Sequence, residues 1–157
     1  MKEVKGDIWD YYDAGSWIVV TTNGSIRQDG ASVMGRGIAL QAANRFPTIS
    51  RTLGAHIKFM GNRIHCFSRL RLIFFPVKHM WMEMADITLI EESCIRLKSL
   101  VSTDQLPYYD QNWYAGIEVP VYMVRPGCGN GKLSWKAVKP ILEKYLDDRF
   151  IVVERES

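Results

Sequence analysis

The chain has 157 residues and little that would announce a covalent or metal-bound scaffold. Its three cysteines, Cys66, Cys94 and Cys128, are odd in number and widely spaced, with no Cys-x-x-Cys pair. This argues against a disulfide framework or a zinc site and for a reducing compartment. No apolar run approaches the length of a membrane span. The opening stretch, MKEVKGDIWD, carries charges where a signal peptide would need an apolar core. A dense Lys/Arg block is missing too, and the net charge is only +3, which permits a nucleic-acid partner without arguing for one. The expectation is a soluble, cytoplasmic, monomeric protein with no membrane partner, no bound metal and no cofactor.

What is present is ordinary globular material, 47% hydrophobic and 24% charged, enough for a sizeable core. No repeat, low-complexity tract or linker divides it, so residues 1–157 read as one domain. SWIVVTT (16–22) is a short β-branched run of the buried-strand type. VMGRGIALQAANRF (33–46) has Ile38, Ala39, Ala42 and Ala43 at helical spacing before Pro47 stops it. A short helix is expected over about 48–57, and RIHCFS (63–68) and RLIFFPV (71–77) read as two strands with a tight link. Residues 85–101 place Ile87, Ile90, Cys94, Leu97 and Val101 on one helical stripe. Residues 102–116 read as a long connection whose Tyr108, Tyr109, Trp113 and Tyr114 form either a lid or an anchor to the body. IEVPVYMV (117–124) reads as a strand with Pro120 suggesting an edge or bulge. A helix through Val138, Ile141, Leu142, Tyr145 and Leu146, then a strand at 149–154, close the chain. Alternating strands and helices imply a layered α/β domain with a mixed, largely parallel sheet.

Two glycine-rich stretches stand out. PGCGNGKLSW (126–135) has three glycines in five positions directly before a helix pattern. Glycine lets main-chain N–H groups approach a ligand closely, and a helix N-terminus adds unpaired donors and a positive dipole end. The stretch is therefore either an anion cradle or a tight turn. It is not a P-loop, because Gly127 to Gly131 leaves three intervening residues rather than four and Leu133 follows Lys132. The dinucleotide fingerprint fails on spacing as well. GASVMGRGIA (30–39) is a second glycine loop opening a helix. Ligands of such sheets lie beyond the carboxyl ends of the strands, so both loops and the stretches after 16–22 and 71–77 are expected at one rim.

KGDIWD, VTTNG, GASVMGRGIALQ and RPGCGNGKLSWKAVKPILEKYL, in this order, resemble the motifs of a macrodomain. The resemblance implies a three-layer α/β/α fold that binds ADP-ribose. FFPVKHMW (74–81) is similar to a segment of the macrodomain antitoxins that remove ADP-ribose from DNA bases, relatives of the terminal ADP-ribose protein glycohydrolases. It covers nearly the whole chain apart from 102–116.

The resemblance assigns Asp7 to the adenine amino group, with the Ile8 N–H beside it, and Asn23 to the distal ribose. Taken alone, Asp7 is equally a helix cap and Asn23-Gly24 a turn dipeptide. Gly35, Arg36 and Gly37 match the first ribose-and-phosphate loop. Gly127, Cys128, Gly129, Asn130 and Gly131 match the loop that wraps the diphosphate. Cys128 reads as a small packed residue rather than a nucleophile.

Lys78 follows an apolar run and a proline at the end of a strand, where partial shielding lets an amine lose its proton near neutral pH. In the resembled enzymes it acts at the anomeric carbon of the distal ribose; without the resemblance it is an ordinary solvated lysine. His79 is a lesser candidate for proton transfer, and His56 and His65 read as structural or exposed. Protein-directed relatives carry a catalytic aspartate where this chain has Gly131, and no carboxylate occurs in 127–133. The implied function is an ADP-ribosyl glycohydrolase acting on a DNA nucleobase rather than a protein carboxylate. The alternatives are a non-catalytic reader of ADP-ribose or a related nucleotide, and an ADP-ribose 1″-phosphate phosphatase. The implied partners are ADP-ribose, ADP-ribosylated nucleic acid or protein, and a cognate ADP-ribosyltransferase toxin.

Overall fold

A computed structural model describes residues 1–101 and 117–155. The expectations placed on 102–116 lie outside the described residues. In chain order the elements are β1 (Lys2–Gly6), α1 (Ile8–Asp13), β2 (Trp17–Asn23), α2 (Gly37–Arg45), α3 (Ile49–Met60), β3 (His65–Phe67), β4 (Leu72–Lys78), α4 (Ile87–Val101), β5 (Val121–Met123), α5 (Trp135–Tyr145) and β6 (Phe150–Arg155).

The strands form a six-stranded sheet in the order β1-β6-β5-β2-β4-β3. Only the pairing of β3 with β4 is antiparallel. Each strand of the central pair alternates between two cores. Trp17 and Val19 of β2, with Ile73 and Phe75 of β4, face a core completed by Ile90, Cys94 and Leu97 of α4 and Val138 and Leu142 of α5. Ile18, Val20, Leu72 and Phe74 face the other, closed by Trp9 and Tyr12 of α1, Ile38 and Ala42 of α2 and Leu53 and Ile57 of α3. Burial on both faces explains why these strands read as unbroken apolar runs rather than alternating ones. The architecture is three-layer α/β/α with a largely parallel sheet, as expected.

The differences from the sequence reading have local causes. β1 escapes the pattern because its KEVKG is mostly exposed and pairs only with β6, at a sheet edge where lysines guard against further pairing. α1 has only six residues, too few to display a period. The helix expected from 33 begins at Gly37, and α3 runs on to Met60 before Gly61 (φ 94°) ends it. The tight link between β3 and β4 is a 3-10 turn, Ser68–Leu70.

Pro120 was expected to mark an edge or bulge. β5 is instead interior, between β6 and β2, and is confined to Val121–Met123. Pro120 stands just before it, where its missing N–H takes no bond from the ladder. No described helix is long and apolar enough to cross a membrane.

Candidate functional site

The carboxyl ends of β2 and β4 meet at a register irregularity. Thr22 pairs with Pro76, but Asn23 pairs with Lys78, so one residue of β4 is skipped. The backbones then come together closely: the Gly24 N–H donates to the His79 carbonyl at 3.1 Å. A Cβ on Gly24 would stand 2.7 Å from that same oxygen, which explains glycine here on packing grounds. Asn62, which nothing in the sequence marked, donates from Nδ2 to the Lys78 carbonyl at 2.9 Å and braces the same junction.

Lys78 emerges half-buried from this junction. Its Nζ donates to the carbonyls of Trp81 (3.3 Å) and Asn130 (3.2 Å), tying the end of β4 to the glycine loop after β5. Burial lowers its pKa from the ordinary lysine value, and the neighbouring charges of Arg36 and Lys132 push it in the same direction. An amine crowded by cations and partly desolvated is easier to deprotonate, as a nucleophile or base requires.

The loop after β5 is built from turns. Cys128 N–H reaches the Arg125 carbonyl (3.4 Å), Lys132 N–H that of Gly129 (3.1 Å) and Leu133 N–H that of Gly127 (2.9 Å). The amides of Gly129, Asn130 and Gly131 donate to no acceptor among the described residues. Consecutive open amides form a concavity suited to an anion. Two of the glycines are required by packing. At Gly127 (φ 75°) a Cβ would lie 2.8 Å from Ile90, and at Gly131 2.5 Å from the Gly127 carbonyl. Around Gly129 no atom lies within 4 Å of a Cβ position, so that position faces open space. Cys128 is half-buried, its thiol directed at the Pro126 carbonyl (3.5 Å) and its pKa raised by burial.

The helix end expected to serve this loop is closed. Ser134 caps α5, its Oγ accepting the Ala137 N–H at 3.2 Å. The open helix end belongs to α2, where Arg36 occupies the cap position and no side chain accepts from the first turn. Gly37 (φ 57°) opens that helix against Asn130, whose Nδ2 would lie 3.3 Å from a Cβ there. Gly35 and Arg36 are exposed at the same place. Thus the 30–37 loop, the 127–131 loop and Lys78 form one cluster.

Asn23 belongs to the cluster as a brace. Its Nδ2 donates to the Val33 carbonyl (3.0 Å) and its Oδ1 accepts the Ser25 N–H (2.9 Å), fixing the approach to the 30–37 loop. Asp7 follows β1 at the same rim of the sheet. Its Oδ1 caps α1 by accepting the Trp9 N–H at 2.9 Å, while the Ile8 amide donates to no acceptor among the described residues. Among the described residues no hydrogen bond joins Asp7 to the Lys78 cluster, so a ligand touching both would have to be extended.

The histidines separate by role. His79 Nε2 lies 2.8 Å from Asp86 Oδ2, holding the segment after β4 in a loop and lowering the Asp86 pKa. His65 is buried, with Nε2 3.0 Å from the Gly61 carbonyl, and burial lowers its pKa. His56 turns back on its own helix toward the Thr52 carbonyl. Among the described residues no group of His, Cys, Asp and Glu could hold a metal ion.

The arrangement is a macrodomain fold, carrying two glycine loops and a lysine at the carboxyl rim of its sheet. No protein-family model matches the chain, and no curated protein matches it. Solved structures do. The macrodomain of Thermus aquaticus DarG matches over 99% of this chain and 97% of that one, at 20% identity and a TM-score of 0.69. The macrodomain of Mycobacterium tuberculosis DarG matches over 99% and 100%, with the same identity and TM-score. Thermosipho africanus DarTG in complex with ADP-ribose matches at 19% identity and a TM-score of 0.69, and the match spans 42% of that longer chain.

Proposed function

We propose that this chain binds ADP-ribose at the carboxyl rim and removes it from a modified nucleobase, with Lys78 acting at the anomeric carbon of the distal ribose. The observation that carries this reading is the convergence of three features on one spot: the open amides of Gly129–Gly131, the uncapped start of α2, and a half-buried lysine whose proton is destabilised. Amides and a helix end suit a diphosphate, supplying donors and a positive dipole end to its charge. The likeness in fold to a structure solved with ADP-ribose supports the same ligand.

In this reading Asp7 and the Ile8 amide meet the adenine, Gly35, Arg36 and Gly37 the ribose and phosphate, and residues 127–131 the diphosphate. Neutral Lys78 Nζ forms a bond to the anomeric carbon as the bond to the base nitrogen breaks, and the departing nitrogen takes the proton that the newly bonded amine sheds. Water then replaces the lysine, its hydroxyl passing to the anomeric carbon and its proton to Nζ, so one water is consumed, ADP-ribose is released and the base stays in the strand unmodified. Without a carboxylate in 127–133, no side chain of that loop activates a water against a protein ester. This favours the nucleobase substrate, and with it an antitoxin role beside an ADP-ribosyltransferase.

One observation favours a second reading. Both Lys78 hydrogen bonds run to carbonyls, which suit the ammonium form and hence a reader that only binds. Parallel incubation with ADP-ribosyl-thymidine DNA and ADP-ribosyl-glutamate protein separates the two. Release of ADP-ribose from the DNA supports the glycohydrolase, binding without release supports the reader, and no calorimetric heat at millimolar ADP-ribose removes both.

A further inference from the structure

The segment between β4 and α4 reads HMWMEMAD, and its apolar side chains have no part in the reading above. Met80, Trp81, Met82 and Met84 are 49%, 50%, 56% and 57% exposed, an apolar group on the rim of the candidate site. Loosely held loops can expose such residues by accident, but this one is held along its length. The Trp81 N–H donates to Ser25 Oγ (2.9 Å), the Trp81 carbonyl accepts from Lys78 Nζ (3.3 Å) and the Glu83 N–H reaches the Met80 carbonyl (3.1 Å). Asp86 closes the loop, through its N–H to the Val77 carbonyl (2.9 Å) and its carboxylate to His79 (2.8 Å). The backbone is fixed with these side chains outward. Four exposed apolar side chains within five successive positions of a fixed loop are the kind of surface that marks a contact site.

We propose that Trp81 and its flanking methionines form a stacking platform for single-stranded nucleic acid, taking the base next to the modified nucleotide while Lys78 meets the sugar. This rests on the ADP-ribose reading of the same rim. Charge selects the occupant. Lys78 Nζ lies 3.3 Å from the Trp81 carbonyl, and the charges of Arg36 and Lys132 are near enough to Lys78 to act on it, giving a cationic margin beside this segment. Of the two carboxylates in the segment, Asp86 is engaged by His79, leaving Glu83 as the opposing charge. An aromatic face flanked by cations suits a base with its phosphate, and stacking of this kind tolerates any base. A duplex keeps its base faces covered, so the platform selects single strands or extruded bases.

Anisotropy titration of a short fluorescein-labelled oligothymidylate with the full chain tests this, alongside calorimetry with ADP-ribose. Trp81→Ala should weaken the oligonucleotide on the order of tenfold or more, the worth of one stacked base, and weaken ADP-ribose far less. Trp81→Phe should retain most of the affinity, and Met82→Ser, an independent exposed position, should lose a smaller part. Unchanged oligonucleotide affinity in Trp81→Ala overturns the platform, and so does duplex binding as tight as single-strand binding. A wild type that ignores the oligonucleotide also overturns it and leaves a protein as the occupant. Absence of ADP-ribose heat, with oligonucleotide binding still dependent on Trp81, removes the ADP-ribose reading and keeps the single-strand site.

Discussion

The two glycine loops look alike in sequence and supply their donors in opposite ways. The 30–37 loop is braced: Asn23, Ser25 and Ser50 hold its backbone, Asp29 Oδ1 takes the Ala31 N–H, and its open donors begin where α2 starts without a cap. The 127–131 loop places its own amides outward and passes into a helix that Ser134 has already closed. One loop delivers a helix end; the other is itself the cradle. The glycines divide accordingly. Gly127 and Gly131 are small because Ala85, Ile90 and the loop's own backbone leave no room, whereas Gly129 is small beside open space.

Where the loops meet, Lys78 should show the largest effect. Lys78→Ala is expected to keep ADP-ribose binding within a few fold and to lower turnover by about 10²–10⁴. Lys78→Arg should be as inactive, since a guanidinium stays protonated. The folded-state pKa of Lys78 is depressed, so turnover should climb with pH until the amine is neutral. Lys132→Gln removes one of the depressing charges and should move that rise to higher pH. The unfolded chain holds the Lys78 proton more tightly, so stability from this residue also increases as pH climbs between the folded and ordinary values. A pH–rate profile that is flat in the wild type and unmoved in Lys132→Gln would count against a titrating lysine.

Substitutions at two glycines sharpen the comparison within one loop. Gly129→Val puts its branches into open space without a left-handed backbone to strain. It should leave the melting temperature near wild type and weaken ADP-ribose by at least about tenfold, or about 1.4 kcal/mol. Gly131→Ala should do the reverse first, costing about 1–3 kcal/mol of stability through overpacking against Ala85 and the Gly127 carbonyl. Equal stability losses at both positions would erase the distinction between a ligand-facing and a packed glycine.

Legibility in the sequence followed burial. β2 and β4 are buried on both faces and were readable as apolar runs, and α4 showed its stripe because one side meets the core. β1 and α1 were invisible as elements, one charged and at an edge, the other a turn and a half long. At the site, the glycine clusters stand out by composition, whereas Lys78 is singled out by the resemblance, because a lysine at a strand end is ordinary on its own. Asn62 could not be found. An asparagine bracing a carbonyl sixteen positions away leaves no local pattern. Ser134 carries the ordinary signal of a serine directly before a helix pattern, and its cap on α5 leaves α2 as the helix end with no side-chain cap.

Asp7 tests the far end of the rim, where the resemblance and the structure give the same carboxylate two tasks. Asp7→Ala removes the α1 cap, worth about 0.5–2 kcal/mol of stability. If Asp7 also meets adenine, ADP-ribose should lose a further ~1–3 kcal/mol of affinity while ribose 5-phosphate loses little. Calorimetry with both ligands, beside a thermal melt, separates the tasks. Equal losses for both ligands would leave Asp7 as a cap alone.

The smallest effect is expected at Ser134, and it bears most directly on the two loops. Ser134→Ala opens the first turn of α5 and should cost about 1 kcal/mol of stability, the usual value of an N-cap. Because the cradle uses loop amides and the α2 end, ADP-ribose affinity should stay at the wild-type value even though a new helix end has been uncovered a few residues from the loop. A tighter complex would mean that the α5 dipole reaches the diphosphate once its cap is gone. The two loops would then differ only in that one serine, rather than in how each presents its donors.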